Sequence, residues 1–276
     1  MRVDTLSSPS RKVRIAAVGF VAILLVVAAM TWPPYALPSS YHAFADQRAI
    51  LGIANFWNTV TNLPVLVVGA LGLWHLRARA SRPIMFESSG ERRAYVTFFV
   101  GVVLASLGSA YYHLAPTDAR LVWDRLPITI ALTSLVSAQI SERIDARVGG
   151  LLLFPLVGIG LASVLYWRWS AIAATENLIP YGAVQFGSLA LLLLISALFP
   201  SRYDRPNDIY WVLGLYALAK VAENADVSFF EWSGRWFSGH SLKHLLAAAA
   251  AYWILLGLSL RRLSAPVGTT PVASNV

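Results

Sequence analysis

Of the five histidines in this 276-residue chain, three stand where apolar runs begin or end. His240 and His244 lie four residues apart in SGHSLKH, opening a long apolar stretch, and His113 closes another in GSAYYH. Residues i and i+4 are neighbours on one helix face, with Cβ atoms roughly 6 Å apart, so both imidazoles can reach one ion. Metal-capable side chains at the edge of a hydrocarbon-buried segment are costly to keep there and mark functional sites. A catalytic zinc takes three protein ligands and leaves a position for water; the pattern is read as one zinc on His113, His240 and His244. The competing reading of the pair alone is two histidines hydrogen-bonded at a helix interface. A third histidine at the same expected depth, with Ser109 and Asp124 nearby, favours metal. With no cysteine in the chain, disulfides and thiolate ligands are excluded, and calcium and magnesium prefer oxygen ligands.

These residues must be carried by membrane helices. The chain is 57% hydrophobic and 13% charged, whereas a soluble domain carries about a quarter charged residues. Eight apolar segments approach the ~20 residues that cross ~30 Å of hydrocarbon: Val13–Trp32, Ile53–Leu76, Tyr95–Leu114, Leu121–Ile140, Gly149–Trp167, Ile179–Phe199, Ile209–Ala225 and Gly239–Leu260. They are too long for barrel strands and lack their alternation. The expected fold is an all-α polytopic bundle, a seven-helix core over residues 41–260 with one extra N-terminal helix at 13–32. A basic N-terminus at 1–12 precedes it, and a small, polar tail at 264–276 is expected to be disordered. The first segment also reads as a signal peptide, but TWPPYALPSS offers no clear small-residue cleavage site, which favours retention. The formal net charge of +8 does not indicate nucleic acid, because the basic residues are scattered over short loops rather than gathered on a soluble face.

Basic residues accumulate on the cytoplasmic side of short loops. Fifteen fall on the side of the N-terminus (Arg2, Arg11, Lys12, Arg14, Arg77, Arg79, Arg82, Arg92, Arg93, Arg143, Arg147, Arg202, Arg205, Arg261, Arg262) and five on the other (Arg48, Arg120, Arg125, Arg168, Arg235). Both termini are therefore expected in the cytoplasm, in a bacterial inner membrane. His113, Asp124 and His240 all come out on the non-cytoplasmic side.

Asp124, beside Arg125 in LVWDRLP, reads either as a partner of that arginine or a helix-start carboxylate, or as a group at the hydrocarbon boundary facing the histidines. Ser109, one turn before His113, shares its face; alone it would be a small residue that lets helices approach. Lys220 and Glu223, three residues apart, are read as an intrahelical ion pair. His42 is expected in a solvated loop, and His75 at the cytoplasmic end of its helix, away from the metal. Tyr41, Trp123, Trp167, Tyr181, Trp232 and Trp236 fit an interfacial aromatic belt.

GSAYYH, then Asp124 in DRLP eleven residues beyond His113, then HSLKH, together resemble the alkaline ceramidase family, within a wider group of seven-helix membrane hydrolases and adiponectin-type receptors. Asn55-Phe56-Trp57-Asn58-Thr59, continuing to Asn62-Leu63-Pro64, is similar to that family's first core helix. The resemblance spans roughly Tyr41 to Leu260. It implies zinc on His113, His240 and His244, a catalytic carboxylate at Asp124 and a supporting hydroxyl at Ser109, placed to donate to the developing oxyanion. The substrate it implies is ceramide or a related N-acyl lipid of the bilayer, hydrolysed to fatty acid and amine. The family's calcium segment ends in a Glu where this chain has Asn55, and Asp46 is the only carboxylate upstream in YHAFADQRAI, a poor calcium cage. Because the scaffold also serves receptors, fold alone does not assign chemistry. A lipid-responsive receptor remains the alternative, and a transporter would call for paired ionisable groups at the midplane.

Overall fold

Each apolar run becomes helical. The computed structural model describes residues 9–78 and 86–264; most of the basic N-terminus expected at 1–12 and nearly all of the tail expected at 264–276 lie outside the described residues. The elements are α1 (Arg11–Thr31), α2 (Phe56–Val60), α3 (Leu63–Ala78), α4 (Ser89–Leu114), α5 (Asp118–Arg143), α6 (Ala146–Ile172), α7 (Ile179–Leu198), α8 (Asp208–Asn224), α9 (Asp226–Trp232) and α10 (Gly239–Leu260). No β-strand occurs among the described residues. Among the described residues, seven helical segments are long and apolar enough to cross a membrane, with α2 and α3 counted as one, which makes this a multi-pass membrane protein.

The eighth expected crossing is α8, only 17 residues long, at the lower end of the spanning range. Its partner shows how deep it runs. At its C-terminal end the carbonyl of Ala222 abuts Gly239, the first residue of α10, and at its start Asp208 abuts Gly257 near the end of α10 and accepts a hydrogen bond from Trp253 Nε1 (3.3 Å). α8 therefore runs antiparallel to α10 over almost the whole of that helix. On the outside of the bundle, α1 buries none of its residues; Leu25 fills the space above Gly187 of α7.

Two departures from the hydropathy reading have a clear local cause. α4 starts at Ser89 rather than near Tyr95 because the hydroxyl of Ser88 accepts the Glu91 N–H (3.0 Å), an N-cap that apolar periodicity does not register. The second crossing breaks into α2 and α3 because Pro64 has no N–H to give the carbonyl of Val60 and disfavours helical geometry in the residue before it. The break at Thr61 and Asn62 turns polar groups inward: Asn62 Nδ2 donates to the Asn58 carbonyl (2.9 Å), and the Asn62 carbonyl accepts from Ser106 Oγ on α4 (2.8 Å).

The core between these helices is apolar, built on Phe98, Phe99, Leu135, Leu192, Val212 and Leu255 among others. At the end away from the histidines, Arg261 closes the bundle by reaching Glu91 of α4 (2.6 Å) and Glu142 of α5 (3.4 Å). Tyr203 donates to the same Glu91 (2.9 Å), so a charge buried on α4 is answered from the end of α10 and from the loop between α7 and α8.

Candidate metal centre

Close helix crossings bring the histidine-bearing segments together, and glycines permit them. A Cβ on Gly108 of α4 would overlap the Trp123 carbonyl of α5 and come 3.2 Å from Asp124 N. A Cβ on Gly239 would overlap the Ala222 carbonyl and stand 2.9 Å from Asp226 Cα. The first contact sets Ser109 against Asp124; the second seats the start of α10 on the junction of α8 and α9. There Asp226 Oδ1 accepts the His240 N–H (2.7 Å) and Asp226 Oδ2 accepts the Ala45 N–H (2.8 Å). One carboxylate thus fixes both the histidine helix and the loop bearing Phe44, whose ring lies 4.8 Å from that of His113 and 4.6 Å from that of His240.

The three histidines are buried, and their ring centroids form a near-equilateral triangle with sides of 4.8, 5.1 and 5.1 Å. One ligand nitrogen from each lies within 4.8 Å of the others. Hydrogen-bond accounting decides how His244 is used. Thr61 Oγ1 gives its own proton to the Trp57 carbonyl (2.6 Å), so its contact with His244 Nδ1 (2.9 Å) is accepted from the ring. Nδ1 therefore carries the proton and Nε2 keeps a lone pair. That Nε2 is buried without a protein partner, a costly state unless something electron-poor sits there.

His240 Nε2 and His113 Nε2 stand 3.3 Å apart. Two nitrogens each ~2.0–2.1 Å from a tetrahedral ion are about 3.4 Å apart, so the residues present fit a metal ion. Asn55, in a left-handed conformation at φ 45° that Asn tolerates better than most residues, gives its side-chain amide to the His113 carbonyl (2.8 Å) and so caps α4 at the ligand. That is what this chain does with the position where the resemblance expects a carboxylate.

The half-buried Asp124 lies within reach of the Ser109 hydroxyl and couples to the charges of Lys243 and Arg125. The alternative of a simple Asp–Arg pair does not describe it, because Arg125 turns into a cage of Trp167, Tyr181 and Tyr41, its guanidinium 4.3, 4.9 and 5.2 Å from their ring centroids. This also corrects the aromatic-belt reading for those three: Trp167 and Tyr181 are buried and hold a cation. Trp123, Trp232 and Trp236 are exposed, as a belt requires.

His42 is not merely solvated. Its Nδ1 meets Tyr112 Oη (2.8 Å) and its Nε2 meets Asp118 Oδ1 (3.0 Å), tying the 41–46 loop to both helices at the mouth of the site. His75 stands in the last turn of α3, on the order of 18 Å along the axis from its start at 1.5 Å per residue, away from the three. The Arg48 side chain donates two hydrogen bonds to Asp46, 2.8 and 2.6 Å.

The expected Lys220–Glu223 pair forms at 2.5 Å, but a second lysine joins it. Lys243 Nζ lies 2.8 Å from Glu223 Oε1 and 3.1 Å from His240 Nε2. Lys243, Asp226 and Thr61 escaped the sequence reading. For Lys243 the signal was available, since i to i+3 spacing puts it beside His240; Asp226 and Thr61 depend on tertiary packing.

A family model described as Ceramidase matches residues 48–269, a span that contains all three histidines, Ser109 and Asp124. The chain belongs to the ceramidase family. A comparison with curated proteins finds no match. Membership implies a membrane hydrolase acting on an amide bond, and α1 precedes the matched span.

Proposed function

We propose that the protein is a zinc-dependent amidase of the membrane that hydrolyses ceramide or a related N-acyl lipid to fatty acid and amine. The observation that carries this reading is the convergence of three histidine nitrogens in a chain of this family, with Asp124 on the helix packed against α4 at Gly108. His113, His240 and His244 would hold the ion; when bound, zinc polarises the amide carbonyl and lowers the pKa of water toward ~7. Asp124 accepts the proton of the attacking water and delivers it to the amide nitrogen as the C–N bond breaks, acting first as general base and then as general acid. Ser109, whose hydroxyl lies within reach of that carboxylate, supports it. Phe44, packed on two of the histidines, limits bulk water at the ligands.

A place for the acyl chain supports the lipid substrate. An apolar cavity of about 120 Å³ opens among the helices, walled by Val65, Phe98, Leu132, Leu192, Ala247 and Ile254 among others. Ala247 follows His244 by three residues, so the cavity begins one helical turn from the ligands. Comparing lipids of cells with and without the protein tests the substrate. Production of the protein is expected to lower one class of N-acyl lipid and raise free fatty acid; unchanged N-acyl lipids would count against the proposal.

The basic-residue bias supports a site on the non-cytoplasmic side. A cysteine at Ser88 is expected to be shielded from an impermeant thiol reagent in intact cells and one at Thr117 to react, with no native cysteine to interfere. Labelling at Ser88 with protection at Thr117 inverts the orientation.

A further inference from the structure

Lys243 is more than an ion-pair partner needs to be. Glu223 is already neutralised by Lys220 at 2.5 Å, so a second lysine on the same carboxylate is surplus as a staple between α8 and α10. Two of its three N–H groups are placed: one on Glu223 Oε1 (2.8 Å), one toward His240 Nε2 (3.1 Å). Its charge is also coupled to that of Asp124. A cation with one foot on a carboxylate thus stands against a candidate ligand, within electrostatic reach of the candidate base.

The nitrogen it touches has one lone pair. His240 Nε2 can give that pair to Lys243 or to a metal ion, not to both. An ion held at ~2.0–2.1 Å from this nitrogen lies within about 5 Å of Nζ by simple addition of the two distances. With the lone pair engaged, Lys243 has N–H groups to give at the place where the amide carbonyl must lie for Asp124 to serve the attack.

We propose that Lys243 is a further catalytic residue: its ammonium, positioned by Glu223, donates a charge-assisted hydrogen bond to the substrate's carbonyl oxygen as negative charge develops on it. No bond to Lys243 forms or breaks; it stabilises the oxygen while the proton of water travels by way of Asp124 to the amide nitrogen. Donors of this kind are worth about 10²–10³ in kcat, and a cationic donor is stronger than a neutral one. The inference rests on the amidase reading above.

The test compares wild type with Lys243→Met and Lys243→Arg in detergent, on a ceramide-type lipid amide, with metal content measured on the same samples and dodecanoate affinity measured by calorimetry. Dodecanoate places a stable carboxylate where the acyl oxygen would sit, so its binding reports the donor without turnover. Glu223 remains paired with Lys220 in the variants, and both are expected to fold. Lys243→Met is expected to keep its metal and its KM within about threefold, to lose kcat by about 10²–10³, and to bind dodecanoate about tenfold more weakly; Lys243→Arg recovers part of each loss. Wild-type kcat and dodecanoate affinity in Lys243→Met would leave Lys243 as an ion-pair partner only. Loss of metal in that variant would make it a support for His240, which also overturns the donor role. Should Met not fold there, Lys243→Gln is read against the same limits. A wild type that turns over no lipid amide removes the amidase reading, and this inference with it, before any variant is compared.

Discussion

Asp124→Asn is expected to fold, to keep its metal and to lose lipid-amide hydrolysis by roughly 10²–10⁴-fold, the range for removing a general acid–base group. Asparagine keeps the size of the side chain and can still meet Ser109, and the tight crossing at Gly108 involves the backbone of Trp123 and Asp124 rather than the carboxylate. What it cannot do is take a proton from water. Fatty-acid release and metal content, measured on one preparation, separate the outcomes. Hydrolysis at the wild-type rate would make Asp124 a structural residue of the α4–α5 crossing.

His244→Ala is expected to abolish metal retention and activity together, because two imidazoles hold zinc far less tightly than three. A subtler variant tests the hydrogen-bond accounting. Thr61→Val removes the acceptor that keeps the proton on His244 Nδ1, and loss of such an outer partner typically costs 10–100-fold in metal affinity. Chelator competition on the purified variants reads both effects. Zinc bound by Thr61→Val as tightly as by wild type would show that the tautomer is set by something other than Thr61.

Much of this was legible because hydrocarbon leaves few choices. A run of about twenty apolar residues has only the helix available to satisfy its backbone, so α5, α6, α7 and α10 fell close to where hydropathy put them. Polar residues at the ends of such runs stand out, which is why His113, His240 and His244 could be grouped before any geometry was known. Boundaries set by polar caps were less visible: Ser88 and Glu91 extend α4 well beyond its apolar run, and Pro64 splits a crossing that hydropathy reads as continuous. Contacts between distant segments were not readable at all. Nothing local in the sequence says that Asp226 will hold both Ala45 and His240, that Thr61 will accept from His244, or that Arg125 will leave Asp124 for Tyr41, Trp167 and Tyr181. His42 looked solvated because its partners, Tyr112 and Asp118, come from other elements.

The most direct test is one assay on the purified wild-type protein: fatty acid released from a ceramide-type N-acyl lipid in detergent, before chelation, after it, and after zinc is restored. Release is expected with about one zinc per chain, to stop when the metal is removed, and to return with zinc. Undiminished hydrolysis by metal-free protein, or none by fully zinc-loaded protein across lipid amides, would contradict a zinc amidase built on His113, His240 and His244.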